Sequence, residues 1–91
     1  MFFVTTFDIN GRVYNTKKQN RFPTYTLARR ILPEVSEKTT SQFLVIEDVA
    51  DDLTSRDATF FEKVNGEYIL RPIPDACWMY EGKNAWAFTE A

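Results

Sequence analysis

The sequence predicts an α+β fold: an antiparallel sheet of about five to seven strands, with one principal helix packed on one face. Three observations predict it. Two Asn-Gly pairs, Asn10-Gly11 and Asn65-Gly66, each lie between runs of β-formers. Asn-Gly best tolerates the positive φ that both central residues of a type I′ hairpin turn require. One stretch, residues 24–38, spaces its apolar side chains as a helix does. Residues 42–47 (QFLVIE) form a short, nearly continuous apolar run, as in a strand buried on both faces. The expected order is hairpin, helix, strand, hairpin, hairpin.

The first hairpin joins residues 2–9 to residues 12–16. A turn centred on Asn10-Gly11 sets Ile9 opposite Arg12 and Asp8 opposite Val13. Phe3, Thr5, Phe7 and Ile9 alternate onto one face, and Phe2, Val4, Thr6 and Asp8 onto the other. Apolar residues on both sides mean that the second face is either covered or a contact surface. Residues 17–23 (KKQNRFP) are polar and end in proline, so they read as a connection.

Thr24 is placed to cap the helix through its side-chain oxygen. Tyr25, Ala28, Ile31 and Leu32 then share a stripe, with Leu27 at its edge and Arg29 and Arg30 largely outside it. Pro33 cannot donate a helix hydrogen bond and disfavours helical backbone at Leu32. A kinked or two-piece helix over residues 24–38 follows, with Val35 extending the stripe and Thr39-Thr40-Ser41 ending it.

Residues 48–57 (DVADDLTSRD) are acidic and polar, and read as a loop or a single helical turn. In the second hairpin, Asn65-Gly66 sets Val64 opposite Glu67, Lys63 opposite Tyr68 and Glu62 opposite Ile69. Pro72 and Pro74 mark an irregular crossover or an extended edge segment. A third hairpin is expected in the tail, turning at residues 81–84, with Trp78 and Tyr80 on one strand and Trp86 and Phe88 on the other. Phe2-Phe3 and Phe60-Phe61 each place one ring on either side of the sheet, and the tail hairpin is expected to close the side away from the helix.

Ninety-one residues make one domain, residues 1–91. Fourteen aromatic residues suffice for a compact core. There is no histidine, so the commonest general base and metal ligand is missing. The single cysteine, Cys77, closes no internal disulfide and lacks zinc-site partners, and reads as a small buried hydrophobe. No glycine-rich phosphate cradle occurs. No cofactor or metal is expected, and no enzyme activity. No basic leader or long apolar run appears, so the chain reads as soluble and cytoplasmic.

The charges are unevenly distributed. Residues 1–38 carry a balance of +4 and residues 39–91 a balance of −6, giving the net −2. The acidic half holds Asp48, Asp51, Asp52 and Asp57 in ten residues. Such a cluster either is a solvated loop or steers a basic partner surface, such as that of a nucleic-acid-handling protein. Its spacing matches no calcium loop. With Trp78 and Tyr80 as apolar anchors, it frames the first expectation: a non-enzymatic protein-binding module, a small stoichiometric regulator or inhibitor that occludes its partner. The alternative is a nucleic-acid binder using Arg12, Lys17, Lys18, Arg21, Arg29 and Arg30, with Tyr14, Phe22 and Tyr25 interleaved. No RNP, KH or helix-turn-helix signature accompanies these bases. Surplus aromatics or a sheet edge would also suit a homodimer. The layout is similar to that of many small accessory proteins, including those of bacteriophages and mobile elements, which implies a regulator by analogy of architecture alone.

Overall fold

Strand β1 (Phe2–Asn10) turns back into β2 (Val13–Phe22), and β1 also pairs antiparallel with β3 (Phe43–Val49) on its other side. This computed structural model describes residues 1–10, 13–52 and 54–72. Strands β4 (Ser55–Val64) and β5 (Glu67–Arg71) complete an antiparallel sheet in the order β2-β1-β3-β4-β5. Helices α1 (Tyr25–Arg30) and α2 (Leu32–Lys38) lie between β2 and β3 in the chain. The architecture is α+β with five described strands. The expected third hairpin, with Cys77, Trp78, Tyr80, Trp86 and Phe88, lies outside the described residues, as does Pro74 of the segment leading to it.

The helical segment is in two pieces, as Pro33 implies, so two short helices stand in place of one principal helix. The Thr24 hydroxyl accepts from the Leu27 amide at 3.2 Å, which caps α1. Pro33 falls in the first turn of α2, where its missing N–H costs least, so the chain restarts at Leu32 rather than continuing. Ala28 and Leu32 pack with Val4, Leu44, Ile46, Phe61 and Tyr68, supported by Phe2, Phe22, Tyr25, Ile31 and Val35. The apolar side chains Phe2 and Val4 thus face the helices.

The opposite face of the sheet is also apolar. Phe7, Phe43, Val45 and Phe60 form one buried cluster there, and Phe3 and Val49 a smaller one. The Phe7 and Phe43 rings stack with centroids 5.5 Å apart, and Phe60 meets Phe7 edge-on at 6.3 Å. Phe60 and Phe61 therefore do send one ring to each face. Central β3 is buried along nearly its whole length, as its unbroken apolar run requires.

Three boundaries differ from the sequence reading. Residues 17–22 belong to β2 and are not a connection. Their polarity suits an edge strand, where lysines discourage further pairing. Second, Asn10 pairs with Val13 and Ile9 with Tyr14, two residues along β2 from the register expected of an Asn10-Gly11 turn. A shift of two leaves every side chain on its face, and further along it brings Phe2 opposite Phe22. A bulge intervenes: Lys17 and Lys18 together occupy the ladder position opposite Thr6. Third, β3 and β4 run into residues 48–57, which read as a loop or a helical turn: Val49, Asp48 and Glu47 extend β3 and find partners in Ser55, Asp57 and Ala58. The second hairpin has the expected register throughout, with Asn65 at φ 52° and Gly66 at φ 82°.

Candidate interaction surface

The β3–β4 connection gathers the acidic residues at one end of the sheet. Asp48 of β3 lies directly opposite Asp57 of β4. Between them the Ala50 amide donates to the Thr54 carbonyl at 2.9 Å and closes the turn. Asp51 and Asp52 are exposed in that turn. The four carboxylates named from the sequence are thus brought together, but their local roles differ.

Asp48 accepts from the Arg56 guanidinium at 2.7 Å. Asp52 accepts from the Thr54 hydroxyl at 2.6 Å and the Thr54 amide at 3.1 Å. These bonds, the hydroxyl's first, hold the Asp52 carboxyl below the ordinary aspartate range. This is an Asx-type turn lock. The Asp57 carboxylate accepts from the Ala58 amide at 2.9 Å. Among the described residues no cluster of three or more potential ligands could hold a metal ion.

An apolar residue that the sequence reading missed adjoins this end. Met1 is 53% exposed, and its backbone exchanges hydrogen bonds with Val49, N–H to carbonyl at 3.2 Å and carbonyl from N–H at 2.9 Å. Only the pairing of β1 with β3 places it there, so no local pattern could reveal it. Phe2, opposite Asp48, is half-buried and meets the Tyr25 ring edge-on at 6.0 Å. The other expected anchors, Trp78 and Tyr80, lie outside the described residues.

Of the basic side chains named from the sequence, those among the described residues, Arg21, Arg29 and Arg30, do not converge on one face. Arg21 lies over the Phe3 ring at 4.7 Å, on the face away from the helices. Arg29 lies over the Phe61 ring at 4.8 Å, on the helix face, and donates to the Tyr25 hydroxyl at 3.0 Å. Arg30 is exposed on α1. Lys17 and Lys18 sit at the β2 bulge by register, their side chains outside the described residues, as is Arg12 altogether.

A cleft of about 380 Å³ opens between α2 and strands β1 and β2, lined by Val4, Thr6, Asn20, Ile31, Val35 and Thr39, with Glu34 and Lys38. The last two are bonded to each other at 2.7 Å. No helix of the described residues is long and apolar enough to cross a membrane. In comparisons with known proteins, no family model, no curated protein and no solved structure matches the chain.

Proposed function

We propose that this protein is a non-enzymatic binding module that regulates or inhibits a partner protein in the cytoplasm by covering a basic surface with its acidic β3–β4 end. The supporting observation is the direct opposition of Asp48 and Asp57, with Asp51 and Asp52 in the turn they flank. Like charges facing each other across a ladder cost stability, on the order of a few tenths of a kcal/mol. Arg56 and Thr54 engage Asp48 and Asp52 within the fold, and the exposed Asp51 adds to the negative field at the same end. A basic partner surface would relieve it, and the field would speed encounter. Exposed Met1 offers an apolar contact beside the carboxylates.

A nucleic-acid reading has less support. Arg21 and Arg29 sit on opposite sides of the sheet, and a single phosphate backbone would have to reach both.

Asp51 is the cleanest probe of the acidic end, because Asp52 holds the turn and Asp48 holds Arg56. Immobilised wild-type protein should capture one dominant partner from a lysate of its native cell. Asp51→Lys should slow that association about 3–10-fold, with a weaker dependence on salt. Capture at an unchanged rate would remove the acidic end from the interface. Retention of labelled oligonucleotide at about 50 mM salt, lost steeply as salt rises, would favour the nucleic-acid reading instead.

A further inference from the structure

The two edges of the sheet are built differently. Edge strand β2 carries Lys17, Lys18 and a bulge, features that discourage pairing with another chain. Edge strand β5 pairs with β4 without a register shift, and among the described residues it has a neighbour on one side only. It exposes Ile69 (38%) on one face and Leu70 (54%) on the other. A two-residue hairpin is closed by a pair that exchanges both hydrogen bonds, and by register that pair is Val64–Glu67. Glu67, Ile69 and Arg71 therefore direct their backbone groups at β4, and Tyr68 and Leu70 direct theirs outward.

We infer that two copies of this chain pair antiparallel through β5, with Ile69 facing Ile69 on the two-fold axis. A two-fold axis normal to the sheet requires opposed residues to share a face, which leaves only registers centred on a residue. Centring on Glu67 or Arg71 opposes like charges. A Tyr68 centre draws Gly66 into the ladder, although its carbonyl already accepts from the Ser36 hydroxyl. A Leu70 centre sets Tyr68 against Pro72, which has no N–H to give. Centring on Ile69 satisfies every position. Glu67 faces Arg71 of the other copy twice over, and Leu70 covers the edge of the Tyr68 ring. The outward groups of Tyr68 and Leu70 form the closely spaced hydrogen-bonded pairs. Arg71, already 3.5 Å from Glu62, is then flanked by carboxylates on both sides. The two five-stranded sheets become one continuous sheet. This pairing is independent of what the acidic end binds.

The test is light scattering and sedimentation of the full chain across concentration, with charge reversals at the two positions. Wild type should reach twice its 10.6 kDa mass. Glu67→Arg and Arg71→Glu should each raise the dimer dissociation constant about tenfold or more, since each turns both attractive pairs repulsive. Mixing the two variants should restore association as a heterodimer, and so should combining both changes in one chain. The Tyr68 and Leu70 amides should gain hydrogen-exchange protection as concentration rises. A monomer at every concentration, a dimer indifferent to both reversals, or variants that fail to rescue each other would overturn the pairing. Far-UV circular dichroism of each variant separates loss of association from loss of fold, and the mixture distinguishes the two should Arg71→Glu weaken the chain through Glu62.

Discussion

The Tyr68 hydroxyl donates to the Ser41 carbonyl at 2.7 Å, tying the last described strand to the residues that lead from the helices into β3. Tyr68 is itself part of the helix-side core. Burial, and secondarily the negative charge of Asp8, pushes its phenol up to about 12. The neutral phenol is thus favoured in the folded state. Its stabilising effect is fully present below the unfolded value near 10 and is lost as pH rises toward the folded value near 12. One phenol should titrate about two units late by absorbance at 295 nm, and stability should fall between pH 10 and 12. Tyr68→Phe should abolish that slope and lower stability at neutral pH by about 1–2 kcal/mol, the worth of a buried hydrogen bond whose acceptor is left unpaired.

Lys63 ends α2 from a neighbouring strand. Its ammonium donates to the Ser36 carbonyl at 2.7 Å and the Thr39 carbonyl at 2.5 Å, where the helix leaves its last carbonyls without internal partners. It also lies 5.7 Å from the centre of the Tyr68 ring. Lys63→Met keeps the apolar stem and removes the donor. Urea denaturation should show a loss of about 1–2 kcal/mol, and Lys63→Arg should recover part of it.

Thr5 is buried among Phe3, Phe7 and Val45 by alternation and register, and its hydroxyl has no hydrogen-bond partner among the described residues. A hydroxyl so placed costs desolvation without return. Thr5→Val has nearly the same shape and should raise stability by about 1 kcal/mol, read as an upward shift of the thermal midpoint.

The Asp52 carboxylate locks the β3–β4 turn only while ionised. Its folded-state value is depressed by Thr54, so its contribution is present above the unfolded value near 4 and is lost as pH falls through the folded one. Hydrogen exchange at the Thr54 amide should accelerate relative to neighbouring amides on acidification through that range. Asp52→Ala should produce the same acceleration at neutral pH.

What the sequence revealed and what it concealed divide along local and non-local causes. The Asn65-Gly66 hairpin is local: two residues of positive φ fix the turn, and the turn fixes Val64 against Glu67, Lys63 against Tyr68 and Glu62 against Ile69. The break at Ile31 is equally local, since Pro33 lacks the donor a continuous helix needs. The first hairpin obeys a distant constraint as well. Its register must bring Phe2 opposite Phe22 past a bulge of two lysines, and an edge strand made of KKQNRF has no apolar alternation to announce it. The acidic end was legible as a cluster because its residues are close in sequence. That Asp48 faces Asp57 and that Met1 lies beside them both depend on the pairing of β3 with its two neighbours, whereas the Asp52–Thr54 lock is a contact between residues two apart.

The most direct measurement is the association rate of the captured partner with wild-type protein and with Asp51→Lys, across a range of salt. A rate that falls with salt for the wild type, and is about 3–10-fold lower and flatter for the variant, is the expected result. Equal rates and equal salt dependence for the two proteins would contradict binding through the acidic end.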